Sequence, residues 1–260
     1  MRDFVGDFLR YYMPPDYSAH GPELDRLNSW VHWLMLILFI GWGLLFAFML
    51  IRFRASKHPK ALYHGTHSHI SKWAEIGIFV IECVLLFGIS IPAWSRWAGR
   101  PETGQNPMEI RVVAEQFAWN AHYAGADGVF GKTDVSQVTS SNPLGIDLSD
   151  PHAQDDIATL NQMHFVVNRP VIIKITSKDV IHSFSLPYMR VKQDAVPGMQ
   201  VPVHFTPIKT SGAEAWEVAC AQLCGLGHYR MRGQYHVHTQ AEFDAWMAEE
   251  PTVGESLSEE

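Results

Sequence analysis

The chain has 260 residues, of which 47% are hydrophobic and 18% are charged, and its formal net charge is −7. This acidic charge argues against nucleic-acid binding, which requires a basic surface, and three cysteines are too few for a disulfide framework. A large apolar fraction together with a mean hydropathy near zero is consistent with a chain that has an apolar part and a polar part.

Two apolar segments near the N-terminus are long enough to cross a membrane. Residues 27–51 contain no Asp, Glu, Lys or Arg, and residues 76–95 contain one charge, Glu82. About 20 apolar residues in a helix span a hydrocarbon core of about 30 Å. The alternative, a buried helical hairpin of a soluble protein, is disfavoured by the length of the charge-free run. The sequence therefore predicts a transmembrane helical hairpin over residues 27–97, after an N-terminal outer segment over residues 1–26.

The loop between the two spans, residues 52–75, is strongly basic. It holds five Lys or Arg residues and no acid before Glu75. By the positive-inside rule such a loop lies in the cytoplasm, so both termini and the region after the second span are expected on the outer, periplasmic face of a bacterial-type inner membrane. Residues 1–26 lack the apolar core of a cleavable signal peptide, and the first span is expected to act as an uncleaved signal.

After the second span, short β-branched and aromatic runs alternate with turn residues. The runs are residues 109–123, 163–167, 170–176, 200–205, 215–220 and 233–238. This spacing is typical of an all-β sandwich or barrel. It predicts a β-domain over residues 101–239.

The remaining segments are polar or lie at the end of the chain. Residues 124–160 form a long polar excursion, for which the sequence predicts a short helix around residues 155–160. Residues 240–260 are expected to contain a closing helix, residues 240–248, and then an acidic tail. Low hydrophobicity and high charge predict that this tail is disordered.

The stretch 220–231, CAQLCGLGHYRM, contains two of the three cysteines. Its spacing is Cys220-x3-Cys224-x3-His228-x2-Met231, and its two glycines favour a loop over a helix. Thiolate, thioether and imidazole ligands favour copper, whereas zinc prefers closed sets of Cys and His. Two alternatives stay open on this pattern. One is a disulfide or redox pair on an oxidising outer face, and the other is coincidence.

A histidine further upstream is a candidate to complete the site. His182 lies in DVIHSFSLP, residues 179–187, between a strand-like run and a proline turn, and is expected in a loop at one end of the β-domain. A lone histidine is more often a structural residue than a ligand. With His182 the set contains two Cys, two His and one Met, which is more than one copper ion requires.

Three stretches, DVIHSFSLP, KQDAVPG at residues 192–198 and CAQLCGLGHYRM, resemble subunit II of haem–copper cytochrome oxidases in its copper-binding form. The order of two spans before a β-domain is also similar, so that the resemblance covers roughly residues 27–248. It implies an α+β membrane protein, in which a cupredoxin-like Greek-key β-barrel follows the transmembrane hairpin. It further implies that the barrel holds a dinuclear, mixed-valence copper centre, called CuA.

The resemblance implies six copper ligands at matching positions of this chain. They are His182, Cys220, Gln222 through its backbone carbonyl, Cys224, His228 and Met231. Both thiolates would bridge the two coppers, each histidine would bind one copper, and the thioether would be a weak ligand. Bridging thiolates share one unpaired electron between two metals, so a change of oxidation state alters the geometry little.

Two positions depart from the family's usual pattern. The family usually reads Cys-Ser-Glu-x-Cys, and its glutamate side chain contributes to a magnesium or manganese site at the boundary with subunit I. Gln222 is a poorer ligand for a hard cation, which weakens the expectation of such a site here. The family's aromatic segment usually reads Gln-Trp-Tyr-Trp, whose first tryptophan lies where cytochrome c docks. In QFAW, residues 116–119, Phe117 takes that position and Trp119 is kept. Both are candidates for receiving electrons, against the alternative that both are packing residues.

Two acids belong to the second membrane segment. Resembling subunits often place a glutamate at the position of Glu75, at the mouth of a proton pathway into subunit I. The alternative is an acid that interacts with the dipole at a helix N-terminus. Glu82 lies deeper, and it should face protein or be protonated because a charge in lipid is costly.

The resemblance predicts an electron-transfer subunit of a respiratory terminal oxidase. It implies subunit I, subunit III and the lipid bilayer as partners, while subunit I would reduce O2 and pump protons. The chain has no C-x-x-C-H haem motif, so the electron donor is expected to be a c-type cytochrome, a high-potential iron–sulfur protein or a membrane-bound complex. Asp179 and Asp194 are candidates for steering a basic donor.

Two rival functions remain open on the sequence. The CuA subunit of a nitric-oxide-reducing relative would have a similar local motif. A membrane-anchored mononuclear copper protein would bind one copper, usually through a single cysteine. A quinol oxidase subunit is disfavoured, because it should lack the two cysteines.

Overall fold

The computed structural model of the chain describes residues 4–60, 63, 69–97 and 106–258. The chain forms two compact units. One contains Met1–Met13 and Glu23–Arg96, and the other contains Pro14–Pro22 and Trp97–Glu260. Residues Pro14–Pro22, which the sequence analysis assigned to the N-terminal outer segment, therefore belong with the second unit.

The first unit is helical. Its elements are α1 (Phe4–Tyr12), α2 (Gly21–Arg52), α3 (His69–Cys83), a π-helical segment (Val84–Ser90) and α4 (Ile91–Trp97), the last three being consecutive. Two helices, Gly21–Arg52 and His69–Arg96, are long and apolar enough to cross a membrane. They coincide with the two predicted spans. Their large apolar side chains are exposed along most of their length, as expected for helices that face lipid.

The second unit is a sandwich of two five-stranded sheets. Its strands are β1 (Met108–Glu115), β2 (Ala118–Tyr123), β3 (Ile157–Leu160), β4 (Gln162–Val166), β5 (Val171–Ser177), β6 (His182–Leu186), β7 (Val191–Ala195), β8 (Val201–Phe205), β9 (Trp216–Cys220) and β10 (Arg232–His238). The strand orders are β3-β2-β1-β5-β8 and β4-β10-β9-β6-β7. The β1–β5 and β4–β10 pairs are parallel, and the other pairs are antiparallel. The predicted α+β class, a helical pair followed by a β-domain, is confirmed.

Alternating residues of both sheets form the core of the sandwich. On β1 the inward-facing Ile110 and Val112 are fully buried, and they meet β5 in a parallel register that sets Val112 beside Ile175. Phe165 and Phe184 fill the space from the second sheet. Each such side chain contributes roughly 1.5–3 kcal/mol when it is removed from water, so the two sheets form a firm support for the loops at their ends.

The structure corrects three local predictions. The helix predicted around residues 155–160 is wrong, because residues 157–160 form β3, which pairs with β2. The run 109–123 is two strands that fold back on each other. His182 does not lie in a loop but opens β6, where it is paired with Ala195 of β7. In each case pairing with a partner strand decides the local conformation.

The end of the chain is more ordered than predicted. The closing helix exists as α5 (Gln240–Glu249), which begins with a capping box formed by Thr239 and Glu242. Within the predicted disordered tail, the structure shows α6 (Val253–Ser258). Val253 is buried in a small cluster with Leu144 and Ile146 of the polar excursion. The prediction of a disordered tail is wrong for these residues, because one apolar side chain finds a pocket.

Three histidines lie side by side where α5 covers the second sheet. His164 of β4 and His238 of β10 share a hydrogen bond of 2.8 Å between Nδ1 and Nε2, with ring planes 1° apart. Trp246 of α5 stacks on His164 with 3.9 Å between the ring centres. His236 stacks on both His164 and His238. Burial lowers the pKa of His236 and of His238. Burial and the two neighbouring imidazoles lower the pKa of His164 to about 3.

Acid is therefore expected to destabilise the fold. Below the ordinary histidine pKa of about 6.5, the unfolded chain binds protons at these positions while the folded chain does not, so stability falls as the pH drops from about 6.5 towards 3. Thermal unfolding of the full chain in detergent between pH 7 and pH 5 would measure the slope. His164→Gln should make the slope shallower, and an unchanged slope would contradict the assignment to this cluster.

Candidate metal centre

The candidate ligands meet at one end of the second sheet. Cys220 is the last residue of β9 and His182 the first of β6, and these two strands are hydrogen-bonded neighbours. Cys224 and His228 lie in the loop that joins β9 to β10, and Met231 directly precedes β10. A bond from the amide of Cys220 to the carbonyl of Met231, 3.2 Å long, closes the base of this loop. The β9–β10 hairpin thus brings the first and last residues of the motif together.

Distances between the side-chain donor atoms define a compact cluster. Cys224 Sγ lies 3.9 Å from Cys220 Sγ, 3.6 Å from His228 Nδ1 and 3.6 Å from Met231 Sδ. His182 Nδ1 lies 3.1 Å from Met231 Sδ. One ligand atom from each of His182, Cys220 and Cys224 falls within 4.8 Å of the others. Two thiols, two imidazoles and one thioether therefore share a single small volume.

The chemistry of this donor set fits copper. Soft sulfur donors together with imidazole nitrogen are the ligands that copper prefers. Both cysteines are free thiols in the structure, so the alternative of a disulfide is not realised there. Burial and the neighbouring Cys220 together raise the pKa of Cys224 to about 11. Two adjacent thiolates need a cation beside them, and a bound metal supplies that charge.

Gln222 contributes to the cluster through its backbone. Its carbonyl oxygen lies 3.2 Å from Cys220 Sγ, whereas its side chain is exposed. The structure therefore brings the Gln222 carbonyl, and not the amide side chain, to the thiols.

Asp179 and Gln116 form hydrogen bonds to two residues of the cluster, His182 and Cys224. His182 Nε2 donates a hydrogen bond of 2.8 Å to Asp179 Oδ1, and the amide of Gln116 donates one of 2.6 Å to Asp179 Oδ2. Burial would raise the pKa of Asp179, but the bonds from His182, Gln116 and Val180 outweigh it and hold that pKa below its ordinary value. Gln116 Nε2 also donates to the Cys224 carbonyl at 2.6 Å. With Nε2 engaged, His182 presents Nδ1 to the cluster.

Sequence reasoning missed these two supporting residues. It treated Asp179 as a surface acid, although Asp179 is three positions before His182 and its carboxylate bonds the imidazole. The spacing Asp-x-x-His was a usable signal for this contact. Nothing in the sequence indicated that Gln116, more than one hundred positions away, would bond Cys224.

Phe117 and Trp119 occupy different environments. Phe117 is half-buried, and its ring packs so closely on Gly227 that any side chain at this glycine would collide with it. The guanidinium of Arg230 lies 5.8 Å from the centre of the Phe117 ring. Trp119 is fully buried in the core, with its ring centre 6.2 Å from the His182 ring centre. Phe117 thus reaches the surface beside the loop, and Trp119 lies beneath the cluster.

Glu75 belongs to the helical unit. It lies on α3 with an exposed side chain and accepts a hydrogen bond of 3.2 Å from Ser71 Oγ. Since it lies six residues into α3, it is not a residue of the first helical turn.

Comparisons with known proteins agree with one another. Residues 108–236 match the domain family described as "Cytochrome C oxidase subunit II, periplasmic domain". A solved periplasmic domain of subunit II of cytochrome oxidase from Bradyrhizobium japonicum is 27% identical, covers 57% of this chain and 94% of its own length, and gives a TM-score of 0.40. Cytochrome c oxidase subunit 2 of Cereibacter sphaeroides is 23% identical over 90% of this chain and 80% of its own length.

A similar relative covers almost the whole chain. The alternative cytochrome c oxidase subunit 2 of Bradyrhizobium diazoefficiens is 30% identical over 247 residues, which are 94% of this chain and 86% of the relative. This length includes both membrane helices as well as the β-sandwich. The chain therefore belongs to the cytochrome c oxidase subunit II family, the membrane-bound electron-transfer subunits that work with subunit I of a haem–copper oxidase.

Proposed function

We propose that this chain takes single electrons from a separate donor protein and delivers them to the haem of subunit I, with a dinuclear copper centre of the CuA type as its carrier. Subunit I would use the electrons to reduce O2 and would couple this to proton pumping. The β-sandwich would lie on the periplasmic side of the inner membrane, and subunit III would complete the complex. Donor classes that suit the proposal are a c-type cytochrome, a high-potential iron–sulfur protein or a membrane-bound complex.

The observation that best supports the proposal is the convergence of five soft or borderline side-chain donors. Cys220 and Cys224 would bridge the two metals, and His182 and His228 would each hold one. Met231 and the Gln222 carbonyl would be the weaker ligands. This set exceeds what a single copper needs, which favours a dinuclear centre over a mononuclear copper protein. When bound, the centre supplies a one-electron carrier whose charge is shared between two metals.

The chain's own residues orient and shield this site. Asp179 accepts a hydrogen bond from His182 Nε2 and so fixes which nitrogen faces the metals. His182, Cys224 and Met231 are almost wholly buried, which keeps water away from the donor atoms. The strands that provide Cys220 and His182 are β9 and β6. They are neighbours in the second sheet, which packs on the first. A rigid scaffold of this kind limits movement of the ligands when the charge of the site changes.

Metal analysis of the full chain tests the proposal directly. We expect two coppers per chain after loading and a seven-line spin-resonance spectrum, because one unpaired electron would couple equally to two copper nuclei. One copper per chain, or zinc alone, would instead support a mononuclear site and would overturn the proposal. Consumption of O2 or of nitric oxide by the assembled complex would distinguish the two classes of terminal acceptor.

We assign electron arrival to the Phe117 side of the cluster, because Phe117 reaches the surface beside the ligand loop while Trp119 is enclosed. Trp119 would then act as packing or as a relay beneath His182. Phe117→Leu keeps an apolar side chain against Gly227 and removes the aromatic ring. We expect slower turnover with the natural donor at unchanged copper content. Turnover equal to that of the unmodified chain would remove the ring from the route.

Two roles outside the copper cluster are also proposals. Glu75 would lie at the entrance of a proton pathway into subunit I, which its exposed position on α3 allows. A magnesium or manganese ion at the boundary with subunit I is disfavoured, because Gln222 has replaced the carboxylate that would bind a hard cation.

A further inference from the structure

A short helix before the first membrane span presents three aromatic rings on its surface. In α1 the side chains of Phe8, Tyr11 and Tyr12 are 53%, 82% and 69% exposed. Their spacing of three and four positions places them on one side of an α-helix. The ring centres of Phe8 and Tyr12 lie 4.8 Å apart, and those of Tyr11 and Tyr12 lie 5.0 Å apart. We call these three residues the aromatic patch.

Helix α1 lies against the start of the first membrane span. It belongs to the compact unit that also contains both membrane helices. Met13, the residue that follows α1, accepts a hydrogen bond of 3.7 Å at Sδ from the side-chain amide of Asn28 on α2. The C-terminal end of α1 therefore lies at the level of Asn28 along α2.

The level of Asn28 can be compared with that of the hydrocarbon core. About 20 helical residues cross a core of about 30 Å. Counted back from Ile51, the last residue before Arg52, they begin at His32. Asn28 lies four residues earlier, about 6 Å outside the core, and the headgroup layer on each side is about 5–8 Å thick. Trp30 lies between these two levels and is 44% exposed, as is typical of the membrane–water interface, where Trp and Tyr are enriched.

The charges of the N-terminal segment indicate how it would bind a lipid surface. Residues 1–13 contain two basic and two acidic residues, so their formal side-chain charges cancel. The exposed Asp7 precedes Tyr12 by five positions, which is about 140° around the axis of an α-helix. Tyr11 lies between these two sides, which suits a ring with an apolar body and a polar hydroxyl. A segment without net charge gains little from anionic headgroups, so burial of the aromatic rings would supply the binding energy.

We propose that α1 is an interfacial helix that lies on the bilayer surface beside the N-terminal end of α2, with the aromatic patch buried among lipid headgroups and upper acyl chains. Interfacial helices place their apolar face about 5–10 Å into this boundary. The contact between Met13 and Asn28 sets α1 at a matching level. The chain would thus bind the membrane at a third element besides its two spans, and this binding does not depend on copper.

The segment between α1 and α2 gives this lipid contact a consequence. Residues Pro14–Pro22 belong with the β-sandwich. The amide of Tyr17 donates to the Tyr188 carbonyl at 2.7 Å, and the amide of Ala19 donates to the Thr206 carbonyl at 3.0 Å. A helix α1 fixed on the bilayer would hold this bound segment from its N-terminal side, while α2 holds it from its C-terminal side. The lipid contact would therefore add a membrane tether for the β-sandwich.

Hydrogen exchange of the full chain in lipid nanodiscs tests whether the patch is covered. A helix of nine residues is marginal in water by itself, so we expect protected α1 amides in zwitterionic lipid, with little change when anionic lipid or salt is added. Replacing both Phe8 and Tyr12 with serine keeps a similar helix propensity and should raise the exchange rate of these amides by about tenfold or more. Tyr63→Ser, at a loop position that is 94% exposed, is the matched control and should leave α1 protected. Equal protection of α1 in the double variant would contradict the proposal.

Photo-crosslinking in the assembled complex identifies what covers the patch. With p-benzoylphenylalanine in place of Tyr12, we expect lipid adducts, identified by mass spectrometry. The same probe in place of Tyr63 should give far fewer of them. Adducts of the Tyr12 position with another subunit or with a second copy of this chain, or a lipid yield no higher than at Tyr63, would overturn the proposal. Copper content measured on the same samples bears only on the proposed function, because lipid contact by α1 requires no metal.

Discussion

Replacing Cys224 with serine is expected to remove the paired coppers and to stop electron delivery by the complex. Cys224 Sγ is the central donor of the cluster, within 3.9 Å of Cys220 Sγ and 3.6 Å of His228 Nδ1 and Met231 Sδ. A serine hydroxyl is a hard donor that stays protonated at neutral pH, so it cannot bridge two soft metals. The loss of turnover should exceed the roughly 10–100-fold that follows removal of a supporting outer-shell partner. Copper content, spin resonance and turnover measure the three effects.

The third cysteine provides a matched control for this variant. Cys83 lies on α3 in the helical unit, and its thiol is free. Cys83→Ser makes the same chemical change outside the cluster and should leave copper content and turnover as they were. Two coppers and a seven-line spectrum in Cys224→Ser would show that Cys224 does not bridge the metals, and the ligand assignment would then fail.

The membrane helices could be predicted from the sequence because a bilayer imposes a simple rule. A helix must supply about 20 apolar residues to cross it, and residues 27–51 and 76–95 do so with almost no charge. The observed helices extend beyond these limits at both ends, since the polar flanks continue the helix outside the apolar stretch. The β-domain could equally be predicted, because alternating apolar runs and turn residues are local signals.

Long-range pairing explains what sequence reasoning missed. Residues 157–160 have no strong local preference, and they become a strand because β2 offers an open edge. His182 was expected in a loop, but it belongs to β6, which pairs with β7 along one edge and with β9 along the other. Val253 was predicted to lie in a disordered tail, but it is buried against residues of the polar excursion. Apart from β7, which follows β6 directly, these partners lie far away in the sequence.

The candidate site also contains residues that a local pattern predicts and residues that only the fold brings together. The spacing of CAQLCGLGHYRM grouped four candidate ligands within twelve residues, which is a local signal. His182, which the sequence analysis had named as a further candidate ligand, joins them through the pairing of β6 with β9. The structure also adds Asp179, which lies between β5 and β6 and bonds His182, and Gln116, which lies in the turn after β1 and bonds Cys224. Motif spacing therefore predicted the donors but not the residues that orient them.

Asp179 is expected to act as a positioning residue for His182 and not as a steering charge. Asp179→Ala would leave His182 Nε2 and the Gln116 amide without their acceptor. Supporting partners of this kind alter metal affinity by roughly 10–100-fold. We therefore expect about a tenfold lower affinity for copper and a shifted reduction potential. Asp179→Asn keeps an acceptor oxygen but removes the charge, and its effect should be smaller. Copper competition titration and redox titration of the full chain measure both quantities.

Asp194 separates positioning from steering, because it is an exposed acid on β7 with the same charge. Asp194→Asn removes one negative charge from the surface and leaves the hydrogen bond to His182 in place. If Asp179 positions the imidazole, only the Asp179 variants change copper affinity and potential, and these changes persist at high salt because the contact is partly buried. If Asp179 only steers the donor, the Asp179 and Asp194 variants should raise the KM for a basic donor alike and lose that difference in salt. Unchanged copper affinity in Asp179→Ala would decide for steering, since a ring that had lost its carboxylate partner could not hold the metal equally well.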